Sequence, residues 1–422
     1  MKNIITRAVK GTKDIIPSDI SKWQKLERLF HKFIGLYGYE EIRTPAFEKT
    51  ELFSRGVGVE TDLVTKEMYT WKDKNGESIT LRPELTAPVV RAFLQHSLGK
   101  ESPITKLYYF STAFRRERPQ KGRQRQFHQF GIEAIGSPYP ECDAEVISSA
   151  YLFLKHLGLS GLTLKLNSIG SNQTRETYSK ELIKYLTPYK NNLSDVSQNR
   201  LKSNPLRILD TKIPHEIELL SGAPSITEHL SEEDTAHFNE VLSILDSLSI
   251  SYSLDNNLVR GLDYYCRTTF EITSSALGGQ DSLCGGGRYD GLVELLGGKP
   301  TPAIGFAAGV ERILIALQDE KFESSEIGTD IYIITMSPKS REVGAVVANQ
   351  LRQNGFQIRL DLLRRSMKSQ LREANKIGAK YVIFFGEEEI MKDELTIKKM
   401  ASGSQNTVKI KSIITYFQNE ME

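Results

Sequence analysis

Apolar side chains recur at helical spacing near the start of the chain. The pattern predicts an amphipathic helix that ends near Gly35 and Gly38. Its apolar positions are Ile20, Trp23, Leu26, Leu29, Phe30, Phe33 and Ile34. We therefore expect this helix to pack against a core.

Two strand-like segments follow, one on either side of a charged loop. Residues 107–116 (LYYFSTAFRR) are mostly aromatic and apolar, and residues 126–135 (QFHQFGIEAI) alternate between polar and apolar. The stretch between them contains Pro119 and Gly122, which predicts a long hairpin loop. Antiparallel strands around such a loop argue against a Rossmann unit, whose parallel strands are joined by helices.

The chain then becomes polar and helix-leaning, which predicts a helical insertion at about 171–249. Strand-like segments resume at Tyr252, at residues 264–272 and at Leu283. A helix with one apolar face is expected next, because apolar residues recur with its period. Those residues are Phe306, Val310, Ile313, Leu314 and Leu317.

A charged and polar stretch from Gln318 to Thr329 is predicted to be a linker. Beyond it strands and helices alternate, which indicates βαβ units and a mainly parallel sheet. The predicted strands are 331–336, 357–361 and 381–385, and the predicted helices are 340–354 and 366–377. The fold class is therefore α+β: an antiparallel-sheet domain at 1–325 with its helical insertion, and a C-terminal α/β domain at 329–422.

Composition narrows the class of protein. The chain has 422 residues, 39% hydrophobic and 26% charged, as in ordinary globular proteins. Its start lacks the apolar segment of a secretory signal. Three widely spaced cysteines argue against a disulfide framework or a zinc knuckle and fit a reducing cytoplasm. Since the net charge is only +2, nucleic-acid binding would have to come from local clusters.

The hairpin loop is one such cluster. It places six cations in eleven residues against one acid, Glu117. The cations are Arg115, Arg116, Arg118, Lys121, Arg123 and Arg125. A solvated loop is the usual meaning of a charge run. However, Arg115 ends a strand that can aim it, and arginine forks onto phosphate oxygens. The loop therefore suits binding of phosphate or of an RNA backbone, but the pattern of cations is not specific for either.

The second strand places Gln129 and Glu133 on one face, with Gly131 between them. A glycine in mid-strand often marks a place where a ligand lies close, although a solvent-facing edge fits equally well. Farther on, RGLDYYCRTTFEI places Arg260 before a predicted strand. Alternation along this strand would put the Tyr264 and Tyr265 side chains on opposite faces. Core packing is the usual role of such tyrosines.

Two glycine-bearing segments complete the candidates. CGGGRYDGL (284–292) could cradle a phosphate or form a tight turn, and it matches neither a Walker loop nor G-x-G-x-x-G. Arg312 lies in the predicted helix with the apolar face, near Gly305 and Gly309, and a surface arginine is the alternative. The sequence contains no metal-binding pattern and no nucleophile elbow. Arginines near carboxylates, tyrosines and glycines are typical of a nucleotide site built on electrostatics.

In the same order along nearly the whole chain, these segments resemble the histidyl-tRNA synthetases, which are class II aminoacyl-tRNA synthetases. GYEEIRTPAFEKTELF (38–53) resembles motif 1, and TLRPELTAPVVRAF (80–93) resembles the family's substrate-binding segment. Residues 114–133 resemble motif 2, and GFAAGVERI (305–313) resembles motif 3. RGLDYY (260–265) resembles the histidine-specific signature and is the most specific of these motifs.

The resemblance implies an enzyme that activates L-histidine with Mg²⁺-bound ATP to histidyl-adenylate and transfers it to the 3′ end of tRNA-His. Arg115 and Arg260 would be the catalytic residues, and Gln120 would contact the tRNA acceptor end. The residues implied to bind histidine are Glu84, Leu85, Thr86, Gln129, Glu133, Arg260, Tyr264 and Tyr265. The residues implied to bind ATP are Arg115, Glu117, Arg123 and Arg312. No structural metal is expected.

The resemblance also implies a cytoplasmic homodimer with motif 1 at the interface, and a C-terminal anticodon-binding domain. The basic residues there that could contact RNA are Arg359, Arg364, Arg365, Lys368 and Lys380. Leu85, Arg116 and Cys266 depart from the family, which often has glycine, histidine and asparagine at these positions. These departures bear on the fine geometry of the site.

Three alternatives stay open. A histidine-sensing regulatory relative of histidine biosynthesis generally lacks the C-terminal domain and parts of the motifs. Another class II ligase is the second alternative, and the RGLDYY and HQFGIE patterns speak against it. The third is an RNA-binding module without catalysis. The role of the 171–249 insertion is not evident from the sequence.

Overall fold

A computed structural model describes residues 6–58, 61–277, 282–317, 322 and 328–421. The chain forms two compact units, residues 1–323 and 324–422. Most of the predicted linker, 318–329, and the first five residues of the chain lie outside the described residues. None of the described helices is long and apolar enough to cross a membrane.

The first unit mixes helices and strands throughout its length. Its elements are α1 (Pro17–Gly35), β1 (Glu40–Glu41), β2 (Phe47–Lys49), α2 (Thr50–Val57), β3 (Tyr69–Lys72), β4 (Ser78–Leu81), α3 (Thr86–Gln95), β5 (Thr105–Phe114), β6 (Gln126–Ile135), α4 (Pro140–His156), β7 (Leu162–Ser168), α5 (Asn172–Leu186), α6 (Asp195–Ser203), α7 (Pro214–Leu220), α8 (Glu232–Ser247), β8 (Ser253–Leu254), β9 (Cys266–Ser274), β10 (Ser282–Arg288), α9 (Leu292–Leu295), β11 (Ala303–Gly309) and α10 (Val310–Ala316).

An eight-stranded sheet forms the centre of this unit, in the order β1-β5-β6-β11-β10-β9-β7-β8. The outer pairs β1–β5 and β7–β8 are parallel, and the strands between them pair antiparallel. A separate antiparallel sheet has the order β2-β4-β3. The α+β fold class with a largely antiparallel sheet is therefore confirmed.

One face of the large sheet packs on α1, α4, α8 and α10. Phe130, Phe270 and Phe306 project from three of its strands into this core, which also contains Phe30 and Phe153. The last helix of the expected insertion, α8, packs against α4 in the same core. Helices α5 to α7 instead join a second core together with α2 and α3.

Two predictions at the centre of the sheet were wrong in detail. The apolar stripe from Phe306 to Leu317 is not one helix: its first part is strand β11, and α10 begins only at Val310. A period of two puts Ile304, Phe306 and Ala308 in the core, and the antiparallel pairing of β11 with both β6 and β10 keeps it extended. The glycine run after Cys284 is neither a turn nor a phosphate loop but part of strand β10.

A buried network of charged side chains connects the large sheet to two of the helices that pack on it. The Arg288 guanidinium donates to Asp143 and Asp290 and to the Ser137 carbonyl oxygen, and the Asp143 carboxylate also contacts His237 Nε2 at 2.9 Å. Burial opposes ionisation of Asp143, but its hydrogen bond with His237 and the charge of Arg288 lower its pKa. The network joins α4, α8 and the end of β10.

The second unit is an α/β domain with a five-stranded sheet in the order β13-β12-β14-β15-β16. Its elements are β12 (Ile331–Thr335), α11 (Pro338–Gln353), β13 (Ile358–Leu360), α12 (Met367–Lys376), β14 (Tyr381–Phe385), α13 (Glu387–Met391), β15 (Glu394–Lys399), β16 (Gln405–Lys409) and α14 (Ile413–Met421). The three strands predicted here are parallel, as expected. The antiparallel strands β15 and β16 were missed, because their polar residues mask the alternation.

We predict that Arg288→Met destabilises the first unit by about 3–5 kcal/mol, because it leaves the Asp143 carboxylate buried without its main cation. Both tryptophans of the chain, Trp23 and Trp71, lie in this unit, so tryptophan fluorescence during urea denaturation reports its unfolding. Lys13→Ala removes an exposed ion pair with Asp19 and is expected to change stability by less than about 0.5 kcal/mol. Equal effects of the two substitutions would contradict the prediction.

Candidate active site

The second face of the large sheet carries a patch of small residues. Directly paired residues of antiparallel strands project to the same face. One row of pairs runs from Tyr109 on β5 through Gly131, Ala307 and Gly285 to Glu271 on β9. The three middle positions have no side chain larger than a methyl group. With a tyrosine at one end and a carboxylate at the other, the row leaves room on this face of the sheet for polar side chains, and we call the space above this floor the recess.

The next row has the same character. Glu133 on β6 pairs with Gly305 on β11, which pairs with Gly287 on β10. A Cβ at Gly305 would overlap the Glu133 carboxylate, and a Cβ at Gly131 would overlap the Tyr109 hydroxyl. The missing side chains thus provide the space that the polar groups occupy.

Glu133 lies at the inner end of the recess and is almost completely buried. Its Oε1 accepts hydrogen bonds from the Thr86 hydroxyl at 2.8 Å and from the Tyr109 hydroxyl at 3.4 Å, and its Oε2 accepts one from Tyr289. Burial raises the pKa of Glu133 to about 8 in spite of these donors. A neutral carboxylic acid at pH 7 is ready to ionise when a hydrogen-bond donor or a cation arrives.

Glu84 caps the helix that presents Thr86. Its carboxylate accepts the backbone N–H groups of Thr86 at 2.7 Å and Ala87 at 3.0 Å, at the N-terminus of α3. Burial raises the pKa of Glu84 to about 7. Leu85 begins the same turn, but its side chain packs in an apolar cluster with Val89, beside Tyr109.

Tyr264 and Tyr265 lie in an irregular segment that ends just before β9. The prediction that they lie in a strand, on its opposite faces, was therefore wrong. Their ring centroids are 4.7 Å apart, and Tyr264 packs edge-on against Tyr289 at 5.6 Å. Burial raises the pKa of Tyr264, and the neighbouring ionisable hydroxyl of Tyr265 raises it further. The tyrosines therefore form one aromatic wall beside Glu133.

Gln129 projects from β6 two residues before Gly131, on the same face of the sheet. Its side-chain oxygen is buried and accepts no hydrogen bond from the residues that the structure describes. A buried acceptor without a donor is costly unless a ligand supplies one.

Arg260 reaches the floor of the recess from the same irregular segment. Its guanidinium lies over Gly285, where a Cβ would overlap it, and pairs with Glu271 at 3.1 Å. The Arg260 guanidinium carbon is 6.0 Å from the centre of the Tyr265 ring. Arg260 therefore joins the aromatic wall to the acidic end of the floor.

The hairpin between β5 and β6 supplies the cationic end. Arg115 donates to the Pro83 carbonyl oxygen at 2.9 Å and lies 3.9 Å from the Glu117 carboxylate, which Arg123 contacts at 3.2 Å. Gln120 is exposed at the turn, where its backbone pairs with that of Arg123.

Arg312, on α10, closes the arrangement. Its Nε donates to the carbonyl oxygen of Gly122 in the hairpin turn at 3.2 Å, and its Nη1 donates to the Ser282 carbonyl oxygen at 2.8 Å. The Ser282 hydroxyl in turn donates to Glu271 at 2.7 Å. Burial and then the charge of Arg123 lower the pKa of Arg312, so an anion at this end would be stabilised.

These contacts form a closed ring around the small-residue floor. The ring passes through Arg115, Pro83, Glu84, Thr86, Glu133, Tyr289, Tyr264, Tyr265, Arg260, Glu271, Ser282, Arg312, Gly122, Arg123 and Glu117. All the predicted site residues lie on this ring or beside it except Gln120, on the exposed turn, and Leu85, whose side chain lies in a core. Among the described residues, no group of His, Cys, Asp and Glu is placed to hold a metal ion.

Sequence reasoning missed several residues of the site. Tyr109 and Tyr289 were not singled out from the sequence, and only the tertiary structure shows that their hydroxyl groups donate to Glu133. Arg82, in the segment TLRPEL, is buried and donates to the carbonyl oxygens of Thr44 and Thr112, which joins its segment to β5 and to the chain before β2. The only available signal for Arg82 was a charged residue inside an apolar segment.

This antiparallel sheet and its arginine-bearing hairpin agree with the class II aminoacyl-tRNA synthetase that the sequence motifs predict. Residues 11–313 match the family model described as "Histidyl-tRNA synthetase", and residues 330–420 match the one described as "Anticodon binding domain". The chain belongs to the histidyl-tRNA synthetase family.

Relatives are similar in sequence to this chain along nearly its whole length. The histidine–tRNA ligase of Chloroherpeton thalassium is 47% identical over 418 residues, 98% of each chain. The one from Listeria innocua is 47% identical over 417 residues, again 98% of each. The crystal structure of apo S. aureus histidyl-tRNA synthetase has a TM-score of 0.84 and 38% identity, and the match covers 98% of this chain and 100% of that one. The predicted family and enzyme class are thus confirmed, and the regulatory alternative is less supported.

We predict that Glu133→Gln weakens the dependence of stability on pH. The folded pKa lies above the ordinary value of 4.5, so between about pH 4.5 and about pH 8 the folded chain keeps a proton that the unfolded chain has released. The free energy of unfolding therefore falls as the pH rises through this window.

Urea denaturation between about pH 5 and about pH 8 measures the effect: the stability of the wild type should fall more steeply with pH than that of the variant. Glu51→Gln, at a carboxylate whose side chain is 70% exposed, should follow the wild-type slope. Parallel pH profiles for wild type and Glu133→Gln would show that Glu133 is not protonated in the folded chain.

Proposed function

We propose that the recess binds histidine and ATP side by side, in the reaction by which this histidine–tRNA ligase activates L-histidine and transfers it to the 3′ end of tRNA-His. The observation that carries the proposal is the closed ring, because its two ends differ in chemistry. One end offers buried acceptors and hydroxyl groups, and the other offers guanidinium groups. The ammonium group and ring nitrogens of histidine match the first end, and the phosphates of a nucleoside triphosphate match the second.

The acceptor end suits the amino acid. Glu133 and Tyr265 read the two imidazole nitrogens, with Tyr264 beside them, and an acid with a phenol can satisfy both nitrogens. Analogues without these nitrogens leave buried polar groups unpaired and are rejected. The ammonium group is taken by Glu84, Thr86 and Gln129. Glu84 and Thr86 lie with Leu85 in the predicted substrate-binding segment, and Gln129 lies on β6. The buried Gln129 oxygen, which has no hydrogen-bond donor among the described residues, supports this role most directly.

The cationic end suits ATP, which enters as its Mg²⁺ complex. Arg115 holds the α-phosphate, Arg312 clamps the nucleotide from the far side, and Glu117 and Arg123 border the site. Arg260 lies between the α-phosphate and the histidine carboxylate. Its contacts with Tyr265 on one side and Glu271 on the other support this position.

The first step needs no general base, because the attacking carboxylate is already ionised. One carboxylate oxygen of histidine bonds to the α-phosphorus, the bond to the β-phosphate oxygen breaks, and pyrophosphate leaves. Fixed guanidinium groups stabilise the charge that develops on the equatorial oxygens. A terminal ribose hydroxyl of the tRNA then attacks the carbonyl carbon of the adenylate, and AMP leaves.

The remaining roles concern the partners. Gln120 contacts the extra 5′ guanosine of tRNA-His. The C-terminal unit contacts the anticodon through basic residues, of which Arg359, Arg364 and Lys368 are exposed, whereas Arg365 and Lys380 pair with Asp361 and Asp330.

The enzyme acts in the cytoplasm as a homodimer with residues 38–53 at the interface. Phe47 and Trp71 support this interface, since both are exposed and their ring centroids are 6.4 Å apart on the small sheet. A second copy of the chain would cover this apolar surface.

We predict that Arg260→Ala lowers histidine-dependent ATP–pyrophosphate exchange by about 100- to 1000-fold, because one cation facing the developing charge is lost. Histidine binding, measured by calorimetry, should change much less. Arg28→Ala, at an exposed arginine of α1, is the matched control. Unchanged exchange in Arg260→Ala would rule out this role of Arg260. Absence of exchange in the wild type would favour an RNA-binding module, and exchange driven by histidine excludes the regulatory alternative.

We predict that Gln120→Ala reduces by about tenfold the preference for tRNA-His that carries the extra 5′ nucleotide, which is the effect of losing roughly one hydrogen bond. Aminoacylation rates of tRNA with and without that nucleotide measure the preference. Lys121→Ala removes a charge from the same turn and should slow both tRNAs equally. A wild-type ratio in Gln120→Ala would rule out this contact.

A further inference from the structure

We propose that the helical insertion positions the segment that carries Arg260 and Tyr265, and that Arg175 and Asn204 are the residues through which it acts. The inference rests on the proposed roles of Arg260 and Tyr265 in the recess. It assigns the insertion a task in the activation step itself. Neither Arg175 nor Asn204 is on the ring of contacts around the floor.

The segment from Leu258 to Tyr265 needs external support. It has no helical or strand hydrogen bonds of its own, and the strand β9 starts only at Cys266. Its backbone groups must therefore be satisfied by side chains or by other parts of the chain. Arg260 and Tyr265 are placed only as accurately as this segment is held.

Arg175 supplies the first attachment. It lies in the first turn of α5, at the start of the insertion. Its guanidinium donates to the Tyr265 carbonyl oxygen at 2.9 Å and to the Asp263 carbonyl oxygen at 3.4 Å. A planar guanidinium that spans two carbonyl groups fixes both the distance and the direction of the backbone between them.

Asn204 supplies the second attachment. It ends α6, and its side-chain nitrogen donates to the Asp263 carboxylate at 2.8 Å. On its other side, Asp263 is held by the end of α2: its N–H donates to the Val57 carbonyl oxygen, and its carboxylate lies where a Cβ of Gly58 would be. Asp263 is thus fixed between the insertion and the catalytic sheet domain.

The insertion is also attached at a point that does not involve this segment. Arg200 of α6 pairs with Asp62 at 3.2 Å, and Arg207 lies 3.9 Å from the same carboxylate. These ion pairs with Asp62 keep the insertion in place when a single contact to the segment is removed. Loss of Arg175 or Asn204 is therefore expected to loosen the segment locally.

The test is histidine-dependent ATP–pyrophosphate exchange by the full chain, with KM measured separately for histidine and ATP. Displacement of a catalytic group by about 1 Å can cost about 100-fold in rate. We expect Arg175→Met and Asn204→Asp each to lower kcat/KM for histidine by about 10- to 100-fold. The KM for histidine should rise and kcat should fall, while the KM for ATP changes by less than about threefold.

A pair exchange separates positioning from general damage. Asn204→Asp places two carboxylates against each other, and adding Asp263→Asn restores a donor and an acceptor in reverse order. The double variant should recover most of the lost kcat/KM. Tyr185→Phe is the matched control, because it removes a side-chain hydrogen bond to a carbonyl oxygen, that of Leu219, within the insertion. Its kinetics should stay within about twofold of wild type.

Substitutions of Arg260 and Tyr265 themselves distinguish a failure of their proposed roles from a failure of the positioning inference. If Arg260→Lys and Tyr265→Phe keep wild-type kinetics, the proposed roles of these residues are wrong. If they lose activity while Arg175→Met and Asn204→Asp behave like Tyr185→Phe, only the positioning inference is overturned. A loss in Asn204→Asp that Asp263→Asn does not recover would also contradict the inference.

Discussion

The register of the antiparallel sheet is the constraint on which the site depends. Pairing places Gly131, Gly285 and Gly305 on one face of three adjacent strands. A side chain at any of them would displace the Tyr109 hydroxyl, the Arg260 guanidinium or the Glu133 carboxylate. The opposite face of the same strands is filled with aromatic and branched side chains. The sheet is thus a core on one side and a binding floor on the other.

The polarity of the recess follows from how its charges are buried. Glu133 and Glu84 are taken out of water, and the donors around them are hydroxyl and amide groups, so their pKa values rise. At the other end, Arg115 and Arg123 lie 3.9 Å and 3.2 Å from the Glu117 carboxylate, and Arg312 donates to the carbonyl oxygens of Gly122 and Ser282. The first end is therefore rich in carboxyl and hydroxyl groups, and the second is rich in guanidinium groups. An amino acid and a nucleotide would each meet groups of complementary charge.

Arginines that donate to carbonyl oxygens hold the irregular parts of this site. Arg82 fixes the chain near Thr44 and Thr112, and Arg175 fixes the backbone before β9. Arg288 does the same below the sheet, at the Ser137 carbonyl oxygen. Loops have no hydrogen-bond ladder, and a forked donor can replace part of one. Precision at the recess is therefore built from charged side chains that touch neither proposed substrate.

The sequence by itself determined the two strands 107–116 and 126–135, the loop cations between them and the parallel strands of the C-terminal unit, because period and turn residues are local properties. Motif order also identified the family. Tertiary structure alone decided that Tyr109 and Tyr289 meet Glu133, that Phe306 belongs to a strand, and that Arg175 reaches Tyr265. These contacts depend on strand register and on packing between distant segments, and neither leaves a periodic signal in the chain.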